Sequence, residues 1–315
     1  MYGVADLHAD VISKLLENPG WIWSDSEKSL ARFDATPERL KTGGIILQVF
    51  PLYVADSLPH TPETLFRGAE LFHSQINAHP DIKLALRSSD LSQAEREGKI
   101  AAVFSLEGAD SLQGSLWALR LLFRLGLRLL GPTWNHANWA CDGAMEPRGG
   151  GFTRAGKQLV EECRQLGIII DVSHLSDKGF WELAEAGDSK LFASHSNARE
   201  IRNHPRNLTD EQIRALIVAD GLIGLTFVPW FATDKEKATV DDLLRHVEHV
   251  CELGGALHIA FGSDFDGIDR HIVGLENPAC YPGFAEALLR RYPEELVRGM
   301  LGRNAIRFLE KNLPK

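Results

Sequence analysis

Histidine and carboxylate residues recur along the chain in short segments that could hold a metal ion. The first segment, D-L-H-A-D, places His8 and Asp10 two positions apart, so both side chains can leave a strand on the same side and bind one ion. Taken alone, such a pair is equally consistent with a turn that ends in a capping aspartate. The other candidates follow at wide intervals: Glu107 in S-L-E-G-A-D, His136 in T-W-N-H, His174 in D-V-S-H-L-S-D, His195 in A-S-H-S-N and Asp264 in G-S-D-F-D-G.

The number of candidate ligands favours two ions over one. One open catalytic zinc ion needs fewer ligands than the five available, which are His8, Asp10, Glu107, His174 and His195. Glu107 could place one oxygen on each ion and hold the pair ~3.5–4 Å apart, where a shared water becomes a hydroxide nucleophile near neutral pH. Nitrogen and oxygen donors without thiolate favour Zn²⁺, with Mn²⁺ or Co²⁺ as substitutes. Singly, Glu107 could be a solvated strand-end carboxylate and each histidine a hydrogen-bonded core residue.

The apolar and β-branched runs before these residues are the elements that must position them. Eight runs have the length and composition of core strands: 3–8, 44–50, 101–106, 128–133, 168–173, 191–194, 222–227 and 258–262. Helix-period segments lie between them at 61–78, 115–125, 153–166, 177–186, 209–219 and 240–253, with a last one near 294–311. An extra strand-like run at 83–86 is followed by a helical segment at 90–97. This alternation predicts an α/β protein with a (β/α)₈ barrel.

A barrel explains how distant residues can meet. The carboxyl ends of its strands converge on one mouth, and the candidate ligands stand just after those ends. A doubly wound sheet is disfavoured, because no G-x-G-x-x-G follows a strand and the glycines at 149–151 lack a P-loop lysine. No low-complexity linker or charge block interrupts the chain, so we expect one domain over residues 1–315.

Composition excludes several classes of function. With 44% hydrophobic and 24% charged residues, the 315-residue chain is typical of globular proteins, and its net charge of −9 disfavours nucleic acid or an anionic membrane as partner. The N-terminus lacks the apolar region of a signal peptide, and the longest apolar stretch, near 221–232, is too short to span a bilayer. The widely spaced Cys141, Cys163, Cys251 and Cys280 indicate reduced thiols. We expect a cytoplasmic protein without nucleic-acid or membrane partners.

Several of these segments together resemble the membrane dipeptidase (renal dipeptidase) family of zinc peptidases, in its short bacterial form. The order and spacing of D-L-H-A-D, S-L-E-G-A-D, T-W-N-H, D-V-S-H-L-S, A-S-H-S-N-A-R, the P-R-N at 205–207 and G-S-D-F-D-G carry the resemblance, which extends to the terminal G-R-N-A-I-R-F-L-E. It implies a binuclear zinc barrel that hydrolyses the peptide bond of dipeptides by a metal-bridging hydroxide.

The resemblance also implies a role for each site residue. His8 and Asp10 would bind one zinc ion, His174 and His195 the other, and Glu107 would bridge them. Asp264 would be the proton shuttle, consistent with general acid–base chemistry by a carboxylate near the metal. Three further roles are implied or expected: His136 would contact the scissile carbonyl, Arg206 would bind the substrate carboxylate, and Asp266 would hold the turn before Gly267.

The sequence departs from the family pattern at one position, and three alternative functions have to be weighed against a dipeptidase. Val228 stands where animal members have an aromatic hydroxyl that helps hold the substrate carboxylate, and valine cannot donate a hydrogen bond. A TatD-like metal-dependent nuclease has similar ligands, but its mouth would need basic groups for phosphates. A mononuclear deaminase-like amidohydrolase would not need a bridging Glu107, and a non-catalytic metal-binding barrel would show no turnover. The sequence does not indicate which side chains or which L/D configuration of the dipeptide are preferred. A homodimer is one possible oligomeric state.

Overall fold

The computed structural model describes residues 2–24, 26–187 and 190–315. Its strands are β1 (Val4–Asp6), β2 (Ile45–Tyr53), β3 (Ile82–Leu84), β4 (Ile100–Glu107), β5 (Leu127–Gly131), β6 (Ile169–Ile170), β7 (Phe192–Ala193), β8 (Leu222–Thr226) and β9 (Ile259–Gly262). They form one sheet in the order β6-β5-β4-β2-β1-β9-β8-β7, and each described strand pair is parallel. The predicted α/β class is therefore confirmed.

The two ends of the sheet, β6 and β7, meet and nearly close it into a barrel. A parallel bridge joins Asp171 to Phe192, and the Val172 amide donates to the Phe192 carbonyl at 2.8 Å. The Asp171 Oδ1 atom accepts the amides of Ser173 at 3.0 Å and Ser194 at 2.9 Å. At this seam the Asp171 side chain thus accepts amide hydrogen bonds that strand pairing would otherwise provide. The predicted eight-stranded (β/α)₈ barrel is confirmed.

Strand β3 is the extra run that the sequence places between the second and third core strands. It pairs with β4 at Ile100–Ala102, whereas β5 pairs with β4 further along, from Phe104 to Glu107. Because both lie on the same edge of β4, β3 is an appendage of the ring and does not change its strand count.

The helices cover the outside of the barrel. They are α1 (Val11–Glu17), α2 (Ser26–Arg32), α3 (Pro37–Thr42), α4 (Pro62–Leu71), α5 (Ser88–Glu97), α6 (Leu116–Arg124), α7 (Arg154–Leu166), α8 (Asp177–Glu185), α9 (Asp210–Val218), α10 (Pro229–Ala232), α11 (Val240–Glu252), α12 (Tyr281–Leu289), α13 (Glu294–Arg298) and α14 (Asn304–Asn312). Short π-helical segments continue α4 over Phe72–Asn77 and join α13 to α14 over Gly299–Arg303. Side-chain N-caps fix several starts, including Thr61, Ser115, Thr153, Ser176 and Thr209.

Two layers of apolar side chains pack on either side of the barrel wall. Alternate strand residues, such as Leu47 and Val49 in β2, point to the interior, while Phe50 and Leu52 pack under the helices. Phe308 of α14 stacks on Phe192 with 5.6 Å between ring centroids, so α14 packs against the interior cluster. Burying each such ring contributes roughly 1.5–3 kcal/mol.

Two further sequence expectations concern membranes and thiols. No helix in the described part of the chain combines the length and apolarity needed to cross a bilayer. No disulfide joins the four cysteines, which all lie in the described part of the chain, and Cys141 and Cys163 are buried.

The seam gives a stability prediction. Asp171→Ala should lower the free energy of unfolding by about 1–3 kcal/mol, because the buried amides of Ser173 and Ser194 lose their acceptor. Asp171→Asn keeps an acceptor oxygen and should lose less. Urea unfolding of metal-free protein measures both, with Asp81→Ala, at an exposed aspartate, as control. Equal midpoints for Asp171→Ala and Asp81→Ala would show that the carboxylate does not hold the seam.

Candidate metal centre and active site

A cavity of about 240 Å³ lies at the carboxyl ends of the strands, at the mouth expected for a barrel enzyme. Its lining comes from the last residues of β2 and β4 and from the segments that follow β1, β5, β6, β7, β8 and β9, although these are far apart in sequence. The lining includes six of the predicted site residues: Asp10, Glu107, His174, His195, Arg206 and Asp264. His8 lies beneath them, buried against the same carboxylates.

The first ligand group surrounds His8, just past the end of β1. Its Nε2 atom lies 3.4 Å from Asp10 Oδ2, 3.3 Å from Glu107 Oε2 and 3.9 Å from Asp264 Oδ1. This nitrogen is buried and makes no hydrogen bond of acceptable geometry among the described residues. A buried nitrogen surrounded by carboxylates and left without a hydrogen bond is what a metal ligand would show.

The second group consists of His174 and His195 with the other oxygen of Glu107. Oε1 of Glu107 lies 2.7 Å from His174 Nε2 and 3.7 Å from His195 Nε2, and the two Nε2 atoms are 2.9 Å apart. The two oxygens of Glu107 are thus divided between the groups, Oε2 toward His8 and Oε1 toward the histidine pair.

Outer hydrogen bonds set the direction of these rings. Nδ1 of His174 lies 3.0 Å from Asn135 Oδ1, which only accepts, so Nδ1 carries the proton and Nε2 presents a lone pair. That lone pair faces Glu107 Oε1 at 2.7 Å, which brings two acceptors into contact. A shared metal ion would relieve this contact. Nδ1 of His195 is likewise engaged, by Ser194 Oγ at 2.6 Å.

Electrostatics separate the histidines into two kinds. Burial alone would lower the pKa of His8, but the carboxylates of Glu107 and Asp10 outweigh it and hold that pKa well above its usual range. Burial and the charge of Arg206 lower the pKa of His174 to about 4, so its ring is neutral at pH 7. Burial also holds the pKa of His195 well below the usual range. Neutral imidazoles are the form that binds metal.

The pKa values of the carboxyl groups of Glu107 and Asp264 are shifted in opposite directions. Burial would raise the pKa of Glu107, yet the charge of His8 outweighs it and holds that pKa well below the usual range, so this carboxylate stays ionised. Burial raises the pKa of Asp264 well above its usual range, and repulsion from Asp10 and Glu107 acts in the same direction. The site therefore holds one carboxylate that favours charge beside one that favours a proton, an arrangement typical of acid–base sites.

Two aspartates that sequence reasoning overlooked, the buried Asp6 and the partly buried Asp171, align the strand ends. Oδ1 of Asp6 accepts the amides of His8 at 3.2 Å and Ser263 at 2.9 Å, as Asp171 does for Ser173 and Ser194. Each bonds the second amide after itself and one amide on the neighbouring strand segment. An aspartate two or three positions before a candidate ligand, as in D-L-H and D-V-S-H, is the signal that could have found them.

The loop after β9 brings Asp264 to the mouth in an unusual conformation. Asp264 and Asp266 both have positive φ, 67° and 69°, a region that L-residues other than glycine seldom occupy. At Gly267, an added Cβ would stand 2.4 Å from Asp10 Oδ2 and 2.6 Å from Asp264 Oδ1. Only glycine at this position leaves room for the two carboxylates to lie so close.

Asp266 does more than hold the turn expected from the sequence. Its carboxylate is buried and accepts from Lys14 Nζ at 2.9 Å and from the amides of Asp34 and Ala35 at 2.7 and 3.0 Å. In the opposite direction, Asp34 Oδ2 accepts a hydrogen bond from the Asp266 amide at 3.1 Å. This exchange ties the segment before α3 to the mouth, a long-range contact that the sequence pattern does not reveal.

Arg206 is buried beside the second group and is not a solvated surface residue. Its Nη2 donates to the His195 carbonyl at 3.3 Å, and its guanidinium lies 5.6 Å from the Phe231 ring centroid. Among the described residues, Nε has no hydrogen-bond partner and no carboxylate oxygen lies within 4.0 Å of the guanidinium. Burial lowers the pKa of Arg206 to about 10. A buried cation without a carboxylate partner is suited to a ligand that brings one.

His136 and Val228 complete the set. His136 is exposed and does not line the cavity, although its neighbours Trp134 and Asn135 do, so its contact with the substrate stays a prediction. Val228 lines the cavity and packs in a small apolar cluster with Phe231 and Ile268. The wall beside Arg206 is therefore apolar at the position where, according to the sequence analysis, animal members of the family have an aromatic hydroxyl.

Comparison with known proteins gives consistent matches along the chain. The family model described as membrane dipeptidase, peptidase family M19, matches residues 2–313. The chain is 34% identical to the dipeptidase tcpJ of Claviceps purpurea over 253 residues, which cover 78% of this chain and 59% of that protein. It is 29% identical to the dipeptidase verJ of Clonostachys rogersoniana, covering 82% of this chain and 67% of that protein.

Solved structures agree over almost the full length. A structure described as dipeptidase AC, a metallopeptidase of family M19, superposes with a TM-score of 0.90 at 29% identity, covering 100% of this chain and 99% of that chain. A metallopeptidase from Rhodobacter sphaeroides, bound to a phosphinate mimic of the dipeptide L-Ala-D-Ala, superposes with a TM-score of 0.89 at 28% identity, covering 99% of both chains.

Proposed function

The chain belongs to the membrane dipeptidase family, and from that premise we propose that it is a zinc-dependent dipeptidase with two metal ions at the barrel mouth. The observation that carries the proposal is the division of Glu107, whose Oε2 faces His8 and whose Oε1 faces His174 and His195. His8 and Asp10 would hold one ion and the histidine pair the other, with Glu107 between them. Family membership favours this function over a nuclease, a deaminase or a non-catalytic barrel.

Each group of the cavity can be given a task in dipeptide hydrolysis. The metal ions, when bound, would polarise the scissile carbonyl and activate a water molecule. Arg206 would bind the C-terminal carboxylate through two parallel hydrogen bonds, with the apolar wall of Val228 and Phe231 beside the C-terminal side chain. Asp264 would take the proton of the attacking water and return it to the leaving amine. The R. sphaeroides protein, bound to its dipeptide mimic, supports dipeptides as the substrate class.

His136 keeps the role of donor to the developing oxyanion in this proposal. Because its side chain is exposed outside the cavity, the role requires the segment at 134–136 to turn inward when substrate binds.

Metal content and turnover test the proposal directly. Zinc-loaded protein should contain two ions per chain and hydrolyse members of a panel of L,L and L,D dipeptides. His174→Ala should retain about one ion, because it removes one of two imidazoles from a single site. Elemental analysis and amino-acid release give the two readouts. One ion or none in the wild type, unchanged by added zinc, would contradict the binuclear site, and a full metal complement without turnover would contradict the dipeptidase.

Asp264→Asn should keep both ions and lose about 10²–10⁴-fold in kcat, because the amide preserves shape but cannot accept the proton. Steady-state kinetics at measured metal loading provide the test, with Asp269→Asn on the same loop as an exposed control. Loss of metal in proportion to activity would instead make Asp264 a ligand, since its carboxylate also faces His8 at 3.9 Å. Near-normal kcat at full loading would exclude the shuttle.

Arg206→Ala should raise KM for dipeptides about 10²-fold, because truncating one partner of a buried charge pair leaves the substrate carboxylate unpaired. KM for a C-terminally amidated dipeptide should change little, since that substrate has no carboxylate to lose, and the wild type should cleave tripeptides poorly. Arg202→Ala, on the same loop but paired with Asp234 at 2.8 Å, is the control. Equal changes for the free and amidated substrates would rule out the clamp.

A further inference from the structure

Helix α1 supplies one wall of the cavity through residues spaced along a single helical face. Asp10, Ser13, Lys14 and Glu17 all line the cavity, at positions i, i+3, i+4 and i+7. The helix begins directly after the first ligand group, so this wall extends from the proposed metal centre out to the rim. A side chain that leaves the centre along this wall would meet Glu17 last.

The polar groups of this wall differ in whether they are already engaged. Ser13 Oγ donates to Asp10 Oδ1 at 3.2 Å. Lys14 Nζ donates to Asp266 Oδ1 at 2.9 Å and to the Arg32 carbonyl at 3.3 Å, so its charge is compensated. Glu17 is exposed, and its Oε1 accepts a hydrogen bond from Ser57 Oγ at 3.2 Å. In the described ranges no cation pairs with Glu17, which leaves an uncompensated negative charge at the rim.

The direction of a bound dipeptide follows from the placement of the two walls. Arg206 contacts the His195 carbonyl and so belongs to the side of the second group, whereas α1 follows Asp10 of the first. A dipeptide with its carboxylate on Arg206 and its peptide bond over Glu107 would extend its N-terminal residue toward α1. Its N-terminal side chain would then run past Tyr53, which also lines the cavity and whose amide donates to Ser13 Oγ of α1 at 3.3 Å, toward Glu17.

From this juxtaposition we infer that Glu17 selects a basic side chain, lysine or arginine, at the N-terminal position of the dipeptide. The inference rests on the proposed dipeptidase function and names its substrate class. The stem of such a side chain would pack along the apolar part of the wall while its charge reaches the rim. Because the pair is solvent-exposed, the preference should be modest and should weaken with salt.

Matched substrates and variants measure this preference. We expect kcat/KM for Lys-Ala to exceed that for norleucyl-Ala, which has a similar stem but no charge, by about fivefold at low salt. Glu17→Gln should abolish the difference, mainly through KM, and Glu17→Lys should shift the preference toward Glu-Ala. Glu38→Gln, an exposed glutamate on α3 that does not line the cavity, should change nothing.

Equilibrium binding separates this inference from the proposed function. Calorimetric titration of zinc-loaded Asp264→Asn protein, in which turnover should be suppressed, with Lys-Ala and norleucyl-Ala should show the same preference, lost when Glu17→Gln is added. If that preference is present but no dipeptide is hydrolysed, the dipeptidase proposal fails and the inference stands. Equal loss for both substrates in Glu17→Gln would overturn the inference, because Glu17 would then bind the α-ammonium group that they share. Absence of any wild-type preference would overturn it as well.

Discussion

The geometry of the mouth depends on the buried carboxylate of Glu107 and its contacts with three histidines. One oxygen lies 3.3 Å from His8 and the other 2.7 Å from His174, so a single side chain at the end of β4 holds both ligand groups in register. The cost of burying this charge is high unless it is paired. In the protein alone the positive charge that offsets it comes from the ring of His8, whose pKa is raised. A metal ion bound by the Nε2 atoms would take over this role. The site is thus arranged around positive charge that the protein alone supplies only in part.

A carboxylate can hold such a position only if the strand ends do not move relative to one another. Asp6 and Asp171 provide this constraint at two places by accepting amides across neighbouring strand segments. Tyr281 donates to the second oxygen of Asp6 at 3.0 Å, which connects helix α12 to the same network. Hydrogen bonds from backbone amides to a carboxylate are strong and directional, so they fix the backbone position from which the candidate ligands after each aspartate extend.

The barrel and most of the residues at its mouth could be predicted from the sequence. Both depend on local patterns, namely the apolar runs and the polar residues that follow them. Apolar runs mark all eight ring strands, yet the runs at 168–173 and 191–194 shrink to two-residue strands since the Asp171 side chain takes over from the ladder. Helices α1, α2 and α3 were missed because six or seven residues give too few turns for a period to be visible. With α1 unseen, the cavity wall that carries Lys14 and Glu17 could not be predicted, nor could the burial of Arg206, which depends on long-range packing against Phe231.

In the proposed roles, the two ends of the cavity would differ in how strongly they discriminate between ligands, because they differ in burial. Arg206 is almost fully buried, so a ligand that fails to supply a carboxylate would leave a desolvated cation unpaired and would be rejected strongly. Glu17 is exposed, so water replaces a missing partner at little cost and discrimination is weak. A site built in this way would be strict about where a peptide ends and lenient about which residue precedes that end. Strictness on length with tolerance of side chain suits an enzyme that accepts many dipeptides.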